Sequence, residues 1–336
     1  MPCEYLNRWA SGDGRLWTYR ILVSHPHVPL WKRSSPAGVA YHAHLYTQIV
    51  GGTETDRFER WLDTEFESPA QESLQKATTD ARLTPEDWKR LIRFVALQDL
   101  RTPARLEEEI KHWDATIPGW LEKELRRTVS DLEMLIQTGG TIPMPLIQTN
   151  CDRPPLQIIR RLGPDQQRGQ IEARVVIGRE FWLWAIKLLL ATTAKVLHQH
   201  KWTIVHPPAG LAWFTSDSPV LRLNFAGASN YNFGGGWGSR GTEIILPLGP
   251  KHLLYTQIGK SATLRRGERL QVDHANAIRR MIAEHAHRLI FSADCDPDVP
   301  RLRPRTVNEG LFRSERELWA SWHARQTAAD SAVAPP

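Results

Sequence analysis

The sequence predicts an α+β fold, with a helical middle flanked by β-rich N-terminal and C-terminal parts. Three patterns carry that prediction. Apolar residues recur at helical spacing through the middle, as in Phe58, Trp61, Leu62 and Phe66, and again in Trp88, Leu91, Ile92 and Val95. Strand-like runs lie on both sides, from LWTYRILV at 16–23 to KWTIV, LAWFTS and VLRLNF between 201 and 225. TEIILPL and HLLYTQI then face each other across a turn at Gly249 and Pro250, which reads as a hairpin. A β-rich start, a helical middle and a mixed end together read as α+β.

Taken in order, the first strand is entered from the turn Ser11, Gly12, Asp13, Gly14. A proline-punctuated segment and VAYHAHLYT (39–47) follow. From Glu54 the period becomes helical and runs until Pro69 stops it. At 84–105 the signals are strongest. Thr84 is a good N-cap, Pro85 sits at the first helical position, and Asp87 closes a variant of the capping box. Pro103 ends or kinks this helix, and Thr102 can cap the next. Helices at 103–116 and 120–137 are expected on either side of Pro118 and Gly119, packed as a hairpin through Leu106, Ile110 and Trp113 against Leu121, Leu125, Val129 and Leu132. The stretch 139–155, with four prolines and two glycines, reads as a long loop. IEARVVI (171–177) reads as a strand leading into the apolar helix 181–197. Asp273 can cap a helix reaching about residue 288, and RLIFSA (288–293) closes as a strand. Residues 1–327 are expected to form one large domain, with 328–336 a disordered tail.

Composition bounds the function classes. The chain has 336 residues, 41% hydrophobic and 24% charged, as soluble globular proteins do. A net charge of +6 permits a phosphate-bearing or nucleic-acid partner without demanding one, and a solvated basic surface is the favoured account of it. Cys3, Cys151 and Cys295 are far apart and odd in number, so neither a disulfide framework nor a zinc-knuckle spacing is present, and a reducing cytoplasm is expected. The opening MPCEYLNRWA lacks the basic start and apolar run of a signal peptide. Lys187 and Lys195 interrupt the most apolar stretch, which suits a buried helix better than a membrane span, so no membrane partner is expected. Several of the fourteen tryptophans fall on apolar helix faces, so their number alone does not mark a base-stacking surface.

Polar groups aimed inward are the lead to a site. Gln98 falls on the apolar stripe of the 84–105 helix with Arg101 beside it, and an amide and a guanidinium there need partners. Glu65 lies seven residues after Phe58, so an ideal helix turns it only about 20° away from that apolar residue. An ion pair between Glu65 and Arg101 is one account; a catalytic or ligand-binding carboxylate is the other. At FTSDSPV a strand runs into Ser216, Asp217, Ser218 and Pro219, where Asp217 can fold back on local amides or present a carboxylate at the strand end.

Other motifs are weaker. Gly236, Gly238 and Gly241 satisfy G-x-G-x-x-G, but a strand follows them where a dinucleotide site needs a helix. Pro164, Asp165, Glu172 and Arg174 resemble a PD...ExK metal-nuclease set, with Arg a poor replacement for its lysine. His-x-His occurs at 25/27, 42/44, 198/200 and 285/287. The pair His42/His44 best fits a strand that could share a metal, but no third ligand is identifiable and no metal is assigned.

The opening PCEYLNRWA, the helix with Glu59 and Glu65, RFVALQDLRTPAR, FTSDSPV, ILPLGPKHLL and the late helix with Asn276 occur in an order that resembles a mainly bacterial family, domain of unknown function 4238. The resemblance spans residue 1 to about 293. It implies that Glu65, Gln98, Arg101, Ser216 and Asp217 are the positions of interest, and it implies no fold, activity or cofactor. Members of that family commonly carry His-Xaa-Val-Pro before the aromatic-Leu segment, which leads to the expectation of a start upstream of Met1.

Together these readings describe a polar pocket that binds, with hydrolysis as a further step, a phosphate-bearing or nucleic-acid ligand. Glu65 and Asp217 are its candidate catalytic carboxylates, and Gln98, Arg101 and Ser216 its candidate ligand-binding groups; no cofactor is identified. The alternative is a non-catalytic interaction protein in which the same groups form a structural network.

Overall fold

The helix Pro85–Leu100 begins as its sequence demands. The Thr84 side chain accepts from the Asp87 amide at 3.2 Å, and the Asp87 carboxylate accepts from the Thr84 amide at 2.9 Å, a complete capping box. Asp87 also takes the Ser73 hydroxyl at 2.9 Å and the Lys76 ammonium at 3.2 Å, which fastens this helix to Ser68–Thr78. These bonds hold the Asp87 carboxyl far below the usual carboxylate range. Thr84→Ala is expected to cost about 1 kcal/mol, read as a lower denaturation midpoint at unchanged m-value. An unchanged midpoint would show that the cap contributes nothing.

The structure is a computed structural model and describes residues 1–50, 52–139, 156–162, 169–175, 177–227, 230–260 and 264–333. Helices in the middle and strands toward both ends make it α+β, as the periodicity predicts. Contacts divide the chain into two compact units, Met1–Ala104 with Leu189–His323, and Arg105–Leu188 with Ala324–Pro336.

The first unit is built on two antiparallel sheets. One has the order Trp31–Ser34, Leu16–Arg20, Leu289–Ser292, Thr215–Ser216. The other has the order Asn230–Asn232, Leu221–Gly227, Thr242–Gly249, His252–Gln257, Trp202–Val205, and contains the predicted hairpin. Tyr19 and Ile290 of the first sheet, Leu221, Ile245 and Leu253 of the second, and Ala275, Met281 and Ile282 of the helix Val272–His285 share one buried cluster. That helix starts after Gln271 with no side-chain cap, so Asp273 lies in its first turn instead of capping it. Asp99, buried near the end of Pro85–Leu100, accepts the Trp237 indole N–H at 3.0 Å and lies 3.3 Å from Arg222 Nε, tying that helix to the second sheet. The Trp9 indole N–H donates to the Trp213 carbonyl at 2.9 Å, fixing the N-terminal segment in the same unit.

Glu65 departs from expectation for a local reason. Between the helices Arg57–Leu62 and Ser68–Thr78 the backbone forms a π-helical turn over Asp63–Glu67. Wider turns hold more residues per turn, so the buried positions Phe58, Leu62, Phe66, Ala70 and Leu74 follow one another every four residues. Glu65 is thereby rotated out to solvent, where Arg93 meets it at 3.5 Å. Its place inside falls to Glu67, which is paired with Arg101.

In the second unit Trp113 packs edge-on against Phe181 at 4.6 Å, and Leu156–Leu162 pairs with Gly169–Val175. The two helices expected around Pro118 run as one, Pro103–Gln137. Pro118 and Gly119 are exposed there, so water can serve the carbonyl that proline leaves unpaired. The helix Glu309–Val333 likewise continues into the predicted tail, where its alanines favour helix. Most of the expected loop, Cys151, Pro164 and Asp165 lie outside the described residues. No helix among the described residues is long and apolar enough to cross a membrane.

Candidate functional site

Strand alternation builds the floor of a cavity in the first unit. Along Leu16–Arg20, Tyr19 points into the core, so Thr18 and Arg20 share the other face. Thr18 stands opposite Lys32 and Leu16 opposite Ser34, so Lys32 and Ser34 join that face, and Leu289 opposite Arg20 continues it. All five, Thr18, Arg20, Lys32, Ser34 and Leu289, line a cavity of about 700 Å³, within the size range of small-molecule sites. Tyr41, His42, Tyr46, Phe312 and Trp319 give it aromatic surface, with His42 and Trp319 in ring contact at 4.1 Å.

Four cations, Arg20, Lys32, Arg101 and Arg288, and three carboxylates, Glu59, Asp217 and Glu315, line the same space. Their pairing is uneven. Arg288 Nε donates to Glu315 at 2.6 Å, and Arg101 pairs with Glu67. Arg20 and Lys32 are exposed; Arg20 lies over the Phe312 ring at 5.8 Å. Two buried polar atoms on the lining, the Thr18 hydroxyl and Arg101 Nε, have no hydrogen-bond partner among the described residues. Burial pushes His42 down to about 4, so its imidazole is neutral near pH 7.

Asp217 sits at the inner edge of this space, only 9% exposed. Its own amide donates to the Leu289 carbonyl at 3.1 Å, extending the sheet by one residue. Its carboxylate oxygens accept the backbone N–H groups of His287 (3.0 Å), Arg288 (2.9 Å) and Leu289 (3.1 Å). The local Asx-turn expected from sequence is therefore replaced by a clamp on a segment seventy residues away. Burial raises this carboxyl to about 6, against the pull of the three amides and Arg288.

The family described as protein of unknown function (DUF4238) matches residues 2–296. The chain belongs to that family. No curated protein and no solved structure matches it.

Of the five positions that the resemblance implies, this DUF4238 chain brings two, Arg101 and Asp217, to the cavity. Ser216 is fully buried and turns on its own neighbour, donating to the Ser218 carbonyl at 2.9 Å and accepting its amide at 3.2 Å. Gln98 is fully buried, as its place on the apolar stripe predicts, and neither amide atom has a partner among the described residues. It is not among the cavity-lining residues, nor is Glu65. The pair His42/His44 does not lie on a strand, and His44 adopts a left-handed backbone with φ 57°. Sequence does not single out Arg20 and Lys32, and names Glu59 only as part of the helix that carries the family resemblance. The polar half of the period-two pattern in LWTYR and WKRS carried the signal for the first two.

Proposed function

We propose that this DUF4238 protein binds a small phosphate-bearing ligand of about nucleotide size in the cavity. One observation carries the reading: Arg20, Lys32, Arg101 and Arg288 line the same open cavity, and Arg20 and Lys32 face it from adjacent strands. A guanidinium and an ammonium on one sheet face recognise phosphate oxygens through charge-assisted hydrogen bonds. The aromatic groups beside them suit a planar ring. Asp217 serves as the clamp that shapes the floor. Glu59 is the lining carboxylate left to take a proton, should hydrolysis follow binding.

Titration calorimetry with pyrophosphate, adenosine 5′-monophosphate and a single-stranded ten-nucleotide DNA tests this. Adenosine 5′-monophosphate should bind, and Arg20→Ala and Lys32→Ala should each weaken it about tenfold, or about 1.4 kcal/mol. Both positions are exposed, so the variants should fold. Binding of the oligonucleotide alone would point to a nucleic-acid surface instead. Silence with all three probes would sink the proposal and leave the second reading, a non-catalytic interaction protein. That reading draws on the closure of Arg101 on Glu67, Tyr46 on the Arg101 carbonyl at 2.5 Å, and Asp217 on three amides.

A further inference from the structure

Away from the cavity, three side chains from distant parts of the sequence meet. Trp202–Val205 and His252–Gln257 are antiparallel neighbours, with Leu254 opposite Ile204 and Leu253 opposite Val205. One residue further along the same register sets His252 opposite His206, and their rings meet edge-on at 4.7 Å. The His206 backbone is held by its amide donating to the Glu268 carbonyl at 2.8 Å. Asp80 arrives from the turn after Ser68–Thr78, in a left-handed conformation with φ 56°. Its Oδ1 lies 3.1 Å from His206 Nε2 and 3.4 Å from His252 Nε2.

Two ring nitrogens within 3.4 Å of one carboxylate oxygen are more than a hydrogen-bonded pair requires. His252 is 8% exposed, and its Nε2 has no hydrogen-bond partner among the described residues despite that proximity. The spacing suits a shared cation. With bonds of about 2.0–2.1 Å in a tetrahedral array, ligand atoms stand roughly 3.3 Å apart. The three ligand atoms here all lie within 4.8 Å of one another, and both contacts to Asp80 fall close to the tetrahedral spacing. The Asp80 side chain is 58% exposed, which gives an ion a way in and leaves a coordination position to solvent.

We propose that Asp80, His206 and His252 form a binding site for a divalent first-row transition cation, with zinc as its reference ion. Two imidazoles and one carboxylate with an open position form a ligand set that zinc and ferrous iron share. None of the three residues lines the cavity, so this site and the phosphate reading stand or fall separately.

The test is zinc uptake by the full chain after chelator dialysis, followed by calorimetry and by melting with and without zinc. All measurements carry His323→Ala, which removes a more exposed trio, His44, Glu54 and His323. This parent should take up about one zinc per chain and melt higher with it. Asp80→Asn and His206→Gln should each bind zinc at least about tenfold more weakly. Asparagine tolerates the left-handed backbone at this exposed position, so the Asp80→Asn chain should melt with the parent when chelator is present. No uptake by the parent, or equal uptake by the parent and both variants, overturns the proposal.

Discussion

Arg279→Met is expected to lower the melting temperature by about 10 °C, from a loss of about 3–5 kcal/mol. Arg279 projects from the helix Val272–His285 and is 3% exposed. Its Nη2 donates to both oxygens of Asp296, at 2.9 and 2.7 Å, and reaches Asp298 at 3.3 Å. Nη1 donates to the Ala212 carbonyl at 3.1 Å, and the guanidinium lies over Phe214 at 5.4 Å. Methionine would keep much of the packing but strand Asp296, whose side chain is 12% exposed, without its cation. Most of the cost comes from that orphaned charge, so adding Asp296→Asn should recover part of the loss. Differential scanning calorimetry of the single and double variants decides. A fall of less than about 2 °C in the single variant would mean the network adds little to stability.

Asp217 should make the protein less stable as pH rises from about 4 to about 7. Its folded carboxyl titrates near 6 because burial disfavours the charge, above an ordinary value of 3.8. A folded pKa above the unfolded one means that the native state binds the proton more tightly. The stabilisation is complete below the unfolded value and is lost as pH rises through the folded one. A difference of two units corresponds to about 3 kcal/mol. Asparagine at 217 does not titrate, so Asp217→Asn should remove that much of the change in stability between pH 4 and 7. Its absolute stability also shifts, because an amide cannot accept all three N–H groups as a carboxylate does. Denaturant melts of both proteins across this range separate the effects. Parallel pH profiles for parent and variant would show that Asp217 titrates normally.

What sequence made legible was what local rules decide. The Thr84 cap, the burial of Gln98, the hairpin around Gly249 and the loop nature of 236–241 follow from neighbours along the chain. Glu65 shows where those rules stop. A helical wheel assumes one period, and a single π turn between Leu62 and Ser68 changes the phase, exchanging Glu65 for Glu67 as the partner of Arg101. Arg101 stands out beside an apolar helix stripe and Asp217 at a strand end, and both line the cavity. Arg20 and Lys32 do not stand out, since exposed cations on strands are ordinary; only the pairing of Thr18 with Lys32 places them over one space. The meeting of Asp80, His206 and His252 depends on strand register and a distant turn, which spacing within the sequence does not encode.

The pairing of Leu16–Arg20 with Leu289–Ser292 has a consequence for synthesis. One neighbour of the first strand, Trp31–Ser34, leaves the ribosome almost at once; the other must wait for some 270 further residues. At ordinary translation rates that is roughly 15–55 s. Until then one edge of the strand is unpaired and open to the wrong chain. Charge on an open strand edge disfavours wrong pairing, and Arg20, Lys32 and Arg33 put three cations on this hairpin. Any such effect of those cations would act before the first sheet is complete.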